Sequence, residues 1–181
     1  RREGLLFVGG FAHPPNADAV LWFAREIYPR IRRKREEAGQ TAPEFIVVGS
    51  KVTEEIQALE QPGNGIIIRG FVSEEELSRL YGECRIVVVP LRYGAGVKGK
   101  VVEAIYNGAP IVTTAIGAEG IPQVEDVLLV EDEPERFADA VAELYQDPEA
   151  CRSLCRKTQE YIRKYFSVDA AWAGIEADFE R

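Results

Sequence analysis

The sequence predicts an α/β fold, a single domain in which a doubly wound parallel sheet of about six strands lies within a three-layer sandwich. Short apolar runs alternate with segments of helical spacing along the whole 181 residues. Several runs are β-branched and apolar on both faces, which is typical of buried parallel strands. The connections are short, which favours right-handed crossovers. We therefore expect a Rossmann-like domain with extra helices at its carboxyl end.

Six apolar runs are the predicted strands, at residues 5–8, 45–48, 66–69, 86–89, 111–114 and 127–130. An apolar stripe from Ala17 to Ile27 indicates the first helix, which Pro29 ends or kinks. Ser73 caps a helix with an acidic first turn, and Gly108 closes another that spans 97–107. Further helices are expected at residues 134–146, 148–166 and 168–180.

Composition narrows the function classes. The net charge of −8 disfavours a nucleic-acid binder, and no apolar run approaches the ~20 residues of a transmembrane segment. Cys84, Cys151 and Cys155 have no framework spacing, which favours a reducing, cytoplasmic compartment and makes a poor zinc site. Because the sequence contains no Met, not even at position 1, we expect the chain to be a segment of a longer protein.

Two features leave alternatives open. The basic run at residues 30–35 is typical of a solvated face that complements a helix dipole, and a position peripheral to the inner membrane face is the alternative. His13, the single histidine, lies in a loop where it could contact a phosphate or a sugar or pack within the loop.

Ligands of doubly wound sheets bind beyond the carboxyl ends of the strands, so the loops there are the candidate sites. Gly9 and Gly10 follow the first strand and allow close approach of a ligand, although a tight turn alone also explains them. The second strand is followed by Gly49 and Ser50 and has no acid at its end. Binding of NAD is therefore disfavoured, because its fingerprint needs that acid and three spaced glycines.

The segment at residues 90–104 gives the strongest indication of function. A strand ends, a glycine loop follows and a helix begins, and a helix start suits a phosphate. Arg92, Lys98 and Lys100 lie between positions 92 and 100 with no acid among them, and could stabilise a departing diphosphate. Glu103 could accept hydrogen bonds from ribose hydroxyls. The alternative is a cationic, solvated loop in which Glu103 pairs locally.

Three consecutive segments carry a wider pattern, RYGAGVKGKVVEA at 92–104, GAPIVTT at 108–114 and GAEGI at 117–121. Together they resemble the donor-site signature of group 1 glycosyltransferases, family 4, which have the GT-B fold. FVGG at 7–10, PN at 15–16, VVGS at 47–50 and GFV at 70–72 fall where the carboxyl-terminal domain of that family has its loops. The resemblance extends over nearly the whole chain.

The resemblance implies that this lobe binds a nucleotide diphosphate sugar and that an absent N-terminal lobe binds the acceptor, such as a glycan or lipid-linked glycan. Residues 70–72 would contact the base, Glu103 the ribose and residues 94–98 the diphosphate, whose departure Arg92 and Lys98 would stabilise. The reaction would retain anomeric configuration and need neither metal nor cofactor. The implied donor-binding residues are Gly9, Gly10, Gly49, Ser50, Gly70, Phe71, Val72, Arg92, Gly94, Gly96, Val97, Lys98, Lys100 and Glu103.

The sequence departs from the family pattern in two places. Ala95 stands where many members have a glutamate, and the loop after the first strand lacks a strong cation. Our hypothesis is that Arg92, Lys98 and Lys100 supply the missing positive charge. We expect the chain alone to fold without catalysing transfer and to bind nucleotide no more than weakly. A binding module without catalysis and a nucleotide-sugar epimerase of the same architecture are the alternatives, whereas a phosphorylase would need a coenzyme-binding lysine context that is not evident.

Overall fold

A six-stranded parallel sheet forms the centre of the domain in a computed structural model that describes residues 2–165. The strands are β1 (Leu5–Val8), β2 (Phe45–Val48), β3 (Ile66–Gly70), β4 (Ile86–Val89), β5 (Ile111–Thr113) and β6 (Leu128–Val130). Their order in the sheet is β3-β2-β1-β4-β5-β6, and every neighbouring pair is parallel. The chain runs outwards from β1 in one direction and from β4 in the other, so right-handed crossovers place helices on both faces. The predicted doubly wound, Rossmann-like α/β fold is confirmed.

The helices connect these strands and extend beyond the last one. Between β1 and β2, a π-helical segment (Phe23–Ile27) joins two α-helices without a break. Pro29 stands in the first turn of the second of these helices, where its missing N–H costs little, so the proline does not end the helix. The α-helices are α1 (Pro14–Trp22), α2 (Tyr28–Glu37), α3 (Glu54–Gln57), α4 (Glu74–Glu83), α5 (Gly99–Tyr106), α6 (Ala115–Ala118), α7 (Pro134–Gln146) and α8 (Pro148–Tyr165).

The core fills both faces of the sheet. Every residue of β4 is buried, as expected of a central strand with helices on each side. Phe23 of the π-helical segment packs on Phe45 of β2 with ring centroids 4.5 Å apart, and meets Phe137 of α7 edge-on at 5.9 Å. These contacts fix the long first helix and α7 on the same face, while α8 packs against α5.

Some predicted boundaries differ from the structure for local reasons. Thr114 ends β5 early because its hydroxyl caps α6 by accepting from the N–H of Gly117. The helix predicted from residue 97 starts at Gly99, since Lys98 has an extended backbone. The short helices α3 and α6 were not predicted. The predicted helix at 168–180 and the last residue of the one at 148–166 lie outside the described residues.

Candidate functional site

The order of the sheet reverses between β1 and β4, and this is where ligands of doubly wound sheets bind. The two strands lead into α1 and α5, and no side chain caps the start of either helix. By contrast Thr53, Ser73 and Thr114 cap α3, α4 and α6. The first backbone N–H groups of α5 therefore have no side-chain cap as acceptor, and the positive end of the helix dipole is open to a ligand.

The loops after β1, β2 and β3 are in backbone contact. Gly49 donates its N–H to the carbonyl oxygen of Gly70 at 2.9 Å. A Cβ at Gly49 would lie 2.0 Å from the carbonyl oxygen of Gly9, and a Cβ at Gly10 would lie 3.1 Å from Oγ of Ser50. Gly49 is needed because the backbone of Gly9 leaves no room for a side chain there. These contacts bring residues 9, 10, 49, 50 and 70 together along one edge.

Lys100 lies between this edge and the glycine loop of α5. Its Nζ donates to Oδ1 of Asn16 at 2.5 Å and stands 5.8 Å from the centre of the Phe7 ring. Its Cε would meet a Cβ at Gly9 at 3.1 Å. Burial lowers the pKa of the ammonium, and the charge of Lys98 lowers it further. Within residues 2–165 no carboxylate pairs with Lys100, so a half-buried cation lies here without a counter-charge.

Lys98 is more deeply buried, with its side chain 9% exposed. Its ammonium donates to the carbonyl oxygens of Gly94, at 3.3 Å, and Gly96, and it pairs with Oε2 of Glu119 at 3.1 Å. Three donors of the ammonium thus find acceptors within the protein. The loop at 94–98 thus folds around Lys98, and the ion pair with Glu119 joins the loop to the segment that follows α6.

Arg92 is held on the outer side of the loop. Its guanidinium forms a two-pronged ion pair with Asp18 of α1, lies 5.5 Å from the centre of the Trp22 ring, and is 49% exposed. The hydrogen bonds that Arg92 donates to Asp18 raise the pKa of Arg92. The local positive charge expected from Arg92, Lys98 and Lys100 is therefore smaller than the sequence indicates. Asp18 and Glu119 neutralise the first two, and only Lys100 has no carboxylate partner among residues 2–165.

Glu103 lies one turn into α5 and is exposed to solvent. The buried hydroxyl of Tyr81 in α4 is close to it. The pKa of Tyr81 is raised mainly by burial and further by the charge of Glu103 and by an interaction between the hydroxyl and its carboxylate, a contact outside ordinary hydrogen-bond geometry. Because the carboxylate of Glu103 is exposed to solvent, it can accept further hydrogen bonds from hydroxyl groups of a ligand.

Apolar side chains are exposed along the same edge. Phe71, directly after β3, is 82% exposed, and Val97 in the glycine loop is 57% exposed. Gly70 has φ of +66°, a conformation that favours glycine and turns the chain so that Phe71 points away from the core. Val72 packs partly against the core. Exposed apolar groups at a candidate ligand edge are suited to a flat base or to a second lobe.

Asn16, Asp18 and Glu119 are the neighbours that sequence reasoning did not assign to the site. Asn16 is 4% exposed and joins the first loop to Lys100, since its amide also donates to the carbonyl oxygen of Gly10 at 2.8 Å. Their partners lie 84, 74 and 21 residues away in the chain, respectively, so the sequence does not reveal these pairings, although Asn16 and Glu119 lie in segments of the family pattern. His13 is exposed and precedes α1 without capping it.

Two kinds of site are absent from residues 2–165. No group of three or more His, Cys, Asp and Glu side chains is arranged to hold a metal ion. None of the helices there has the length and apolar character that crossing a bilayer requires.

Comparison with known proteins identifies the family of this chain. The family described as Glycosyl transferases group 1 matches residues 2–147, which include every loop described above. The chain belongs to the group 1 glycosyltransferase family. An uncharacterised 44.6 kDa protein in the cps region of Klebsiella pneumoniae is 32% identical over 119 residues. That match covers 64% of this chain and 30% of the relative.

Solved glycosyltransferase structures share the fold at low sequence identity. S. aureus TarM, crystallised with Fondaparinux, alpha-GlcNAc-glycerol and UDP, has a TM-score of 0.72 and 17% identity over 93% of this chain and 34% of its own. Sucrose-phosphate synthase from Thermosynechococcus elongatus has a TM-score of 0.70 and 19% identity, and the match covers 98% of this chain and 45% of the synthase. The C-terminal domain of LpcC from Francisella tularensis has a TM-score of 0.68 and 16% identity, and the match covers 92% of this chain and 89% of that domain. This group 1 glycosyltransferase chain thus spans less than half of TarM and the synthase, and corresponds to a C-terminal GT-B domain.

Proposed function

We propose that this chain is the donor-binding lobe of a glycosyltransferase that transfers a sugar from a nucleoside diphosphate sugar to an acceptor bound by another lobe. The observation that carries the proposal is Lys100, a half-buried ammonium without a carboxylate partner among the described residues, placed at the start of α5. Buried charges in proteins are ordinarily paired, so an uncompensated one at a predicted ligand edge indicates that the ligand is an anion.

A diphosphate fits the surroundings of Lys100. Asn16 takes one N–H of the ammonium, which leaves two donors for phosphate oxygens. The uncapped start of α5 adds backbone N–H groups and a positive dipole end. Glycines at 9 and 94 border the lysines, since a Cβ at either position would meet Lys100 or Lys98 within 4 Å. A backbone without side chains lets the phosphates approach closely.

The rest of the donor would extend along the carboxyl edge of the sheet. The exposed carboxylate of Glu103 would accept hydrogen bonds from the ribose hydroxyls. The base would lie near Gly70 and Val72, with the exposed ring of Phe71 beside it. These assignments agree with what the family resemblance implies and with the UDP named for TarM, although that neighbour supports only the fold by itself.

In the reaction we propose, the bond between the anomeric carbon and the β-phosphate oxygen breaks as the acceptor oxygen approaches. The electron pair moves to the departing diphosphate, whose oxygen takes the proton of the acceptor hydroxyl, and the sugar passes through an oxocarbenium-like transition state. Lys100 and the α5 amides stabilise the charge that builds on the leaving group without a metal ion, while Lys98, paired with Glu119, holds the glycine loop in place. Retention of anomeric configuration is part of the proposal and follows the family. We place the reaction in the cytoplasm, where buried thiols such as Cys84 stay reduced.

Thermal denaturation of this chain with UDP, GDP, ADP and inorganic pyrophosphate tests the proposal. At a concentration ten times the dissociation constant, a diphosphate that binds only the folded chain stabilises it by about 1.4 kcal/mol, or roughly 3–5 °C. Lys100→Met should remove this shift. Lys157→Met is the matched control, because Lys157 is exposed on α8, and it should leave the shift unchanged.

The proposal is overturned if none of these ligands stabilises the wild-type chain, or if Lys100→Met and Lys157→Met respond alike. A transfer assay on the longer protein with a nucleotide sugar and candidate acceptors then separates an enzyme from a binding module without catalysis. Release of a diphosphate together with a new glycoside supports transfer, whereas conversion of the nucleotide sugar without an acceptor supports an epimerase.

A further inference from the structure

Glu119 occupies an unusual position for a carboxylate. It directly follows α6, and the next residue lies on the glycine loop, since a Cβ at Gly120 would be 3.0 Å from Cγ2 of Val97. From there its Oε2 reaches Nζ of Lys98 at 3.1 Å. The side chain of Glu119 is 48% exposed, whereas that of Lys98 is 9% exposed. The carboxylate therefore covers the lysine from the solvent side at the proposed diphosphate site.

A carboxylate beside a diphosphate site opposes the binding of a bare diphosphate, because like charges repel. It favours a neighbouring group that donates hydrogen bonds, because an ionised carboxylate is acceptor-only. The hydroxyl groups of a sugar are such donors. No hydrogen-bond partner is found within residues 2–165 for the second oxygen of Glu119, Oε1, so this atom can accept from a hydroxyl while Oε2 keeps Lys98.

The other nearby carboxylates are less suited to this task. Asp18 is bound on both oxygens by Arg92. Glu103 lies one turn into α5, on the side of Tyr81, where the ribose is proposed to bind. Residues 94–97 (Gly, Ala, Gly and Val) carry no polar side-chain atom. Among the described residues that border this loop, Glu119 is the acceptor in position for a donor sugar.

We infer that Glu119 is a specificity-determining residue that accepts hydrogen bonds from hydroxyls of the donor sugar and so favours the intact nucleotide sugar over the nucleoside diphosphate. This inference rests on the proposed function. It gives the site a means of distinguishing donor from product. The same carboxylate that holds the sugar repels the diphosphate once the sugar has left, which promotes product release.

Calorimetry of the chain with matched pairs tests the inference: UDP with UDP-glucose or UDP-N-acetylglucosamine, GDP with GDP-mannose and ADP with ADP-glucose. For the pair that wild type binds, Glu119→Gln should weaken the nucleotide sugar about tenfold, since hydrogen bonds to a charged acceptor are strong. It should strengthen the diphosphate about threefold by removing a like charge. Glu160→Gln on α8, an exposed glutamate away from the loop, is the matched control and should change neither.

The outcomes separate the inference from the proposal beneath it. If Glu119→Gln weakens both members of a pair equally, Glu119 only positions Lys98, and the inference is overturned. Equal strengthening of both would show that the carboxylate acts as a bare charge, which also overturns it. If wild type binds no member of any pair, the proposed function itself fails. Because Glu119 is half exposed, the thermal stability of the variant should stay close to wild type, which a melting curve verifies.

Discussion

Gly49 should be among the positions of the domain least tolerant of a methyl group. Its backbone has no positive φ, so alanine is allowed there conformationally and only space opposes it. The added Cβ would lie 2.0 Å from the carbonyl oxygen of Gly9 and 2.8 Å from its carbonyl carbon. Both obstacles are backbone atoms that cannot rotate away. The loops after β1 and β2 would have to separate by about 1 Å, an overpacking that costs roughly 1–3 kcal/mol.

That separation would also strain two backbone hydrogen bonds of 2.9 Å, from Gly9 to Val48 and from Gly49 to Gly70. Each contributes about 1 kcal/mol net, so we expect Gly49→Ala to lower the free energy of unfolding by about 3 kcal/mol. For a chain of this size the melting temperature should fall by roughly 6–12 °C. Urea unfolding followed by circular dichroism, with calorimetry, measures both quantities.

The matched control is Gly82→Ala in α4, where an added Cβ meets nothing within 4 Å. Alanine there should stabilise the domain by up to about 1 kcal/mol through helix propensity. The reasoning would be refuted if Gly49→Ala stayed within about 1 kcal/mol of wild type, since the steric argument requires at least the lower end of the overpacking cost. A loss of equal size in Gly82→Ala would show that any added methyl destabilises the domain.

The remaining predictions concern three polar side chains. Burial raises the pKa of Tyr28 to about 12, and its hydroxyl donates to the carbonyl oxygen of Pro43 at 2.8 Å, so Tyr28→Phe should cost about 1 kcal/mol in urea unfolding. Tyr81→Phe should change stability by less than about 0.5 kcal/mol, because the Tyr81 hydroxyl has no partner among residues 2–165; a larger loss would reveal a bond to Glu103. Lys100→Met should raise the melting temperature at pH 7 because it removes an unpaired charge, and a lower melting temperature would contradict the inference that this charge destabilises the fold. The pKa of Lys100 is lower in the folded chain than its ordinary 10.5, so as pH rises towards 10.5 the folded chain releases this proton before the unfolded chain does. Wild type therefore gains stability with rising pH in this range, and the advantage of Lys100→Met in melting temperature should shrink.

Much of the fold could be predicted because its signals are local. Strands such as β2 and β4 are uninterrupted apolar runs, and the predicted bounds of both are confirmed. The π-helical segment was missed because the stripe from Ala17 to Ile27 satisfies ordinary helical spacing, and an i to i+5 turn leaves no mark in composition. The four-residue helices α3 and α6 escaped prediction because so short a helix depends on its cap more than on periodicity.

The location of the candidate site could be predicted from the sequence, but the pairing of its charged side chains could not. Its place follows from topology, since the glycine loops stand after the strands that meet at the point of reversal. The charge balance depends on side chains brought together from distant parts of the chain. The stretch from 92 to 100 contains no acid, yet Asp18 and Glu119 reach into it across 74 and 21 residues. Only the folded chain shows that Arg92 and Lys98 are already paired.

The unpaired ammonium of Lys100 also has a consequence for the evolution of this sequence. Selection for stability alone favours an apolar side chain at position 100, whereas selection for an anionic ligand retains the lysine. A duplicated copy that has lost its ligand should therefore lose this lysine early, while Gly49, whose Cβ would meet the backbone of Gly9, persists. A sequence that keeps this glycine but not the lysine would be expected to be a folded relic rather than a working enzyme.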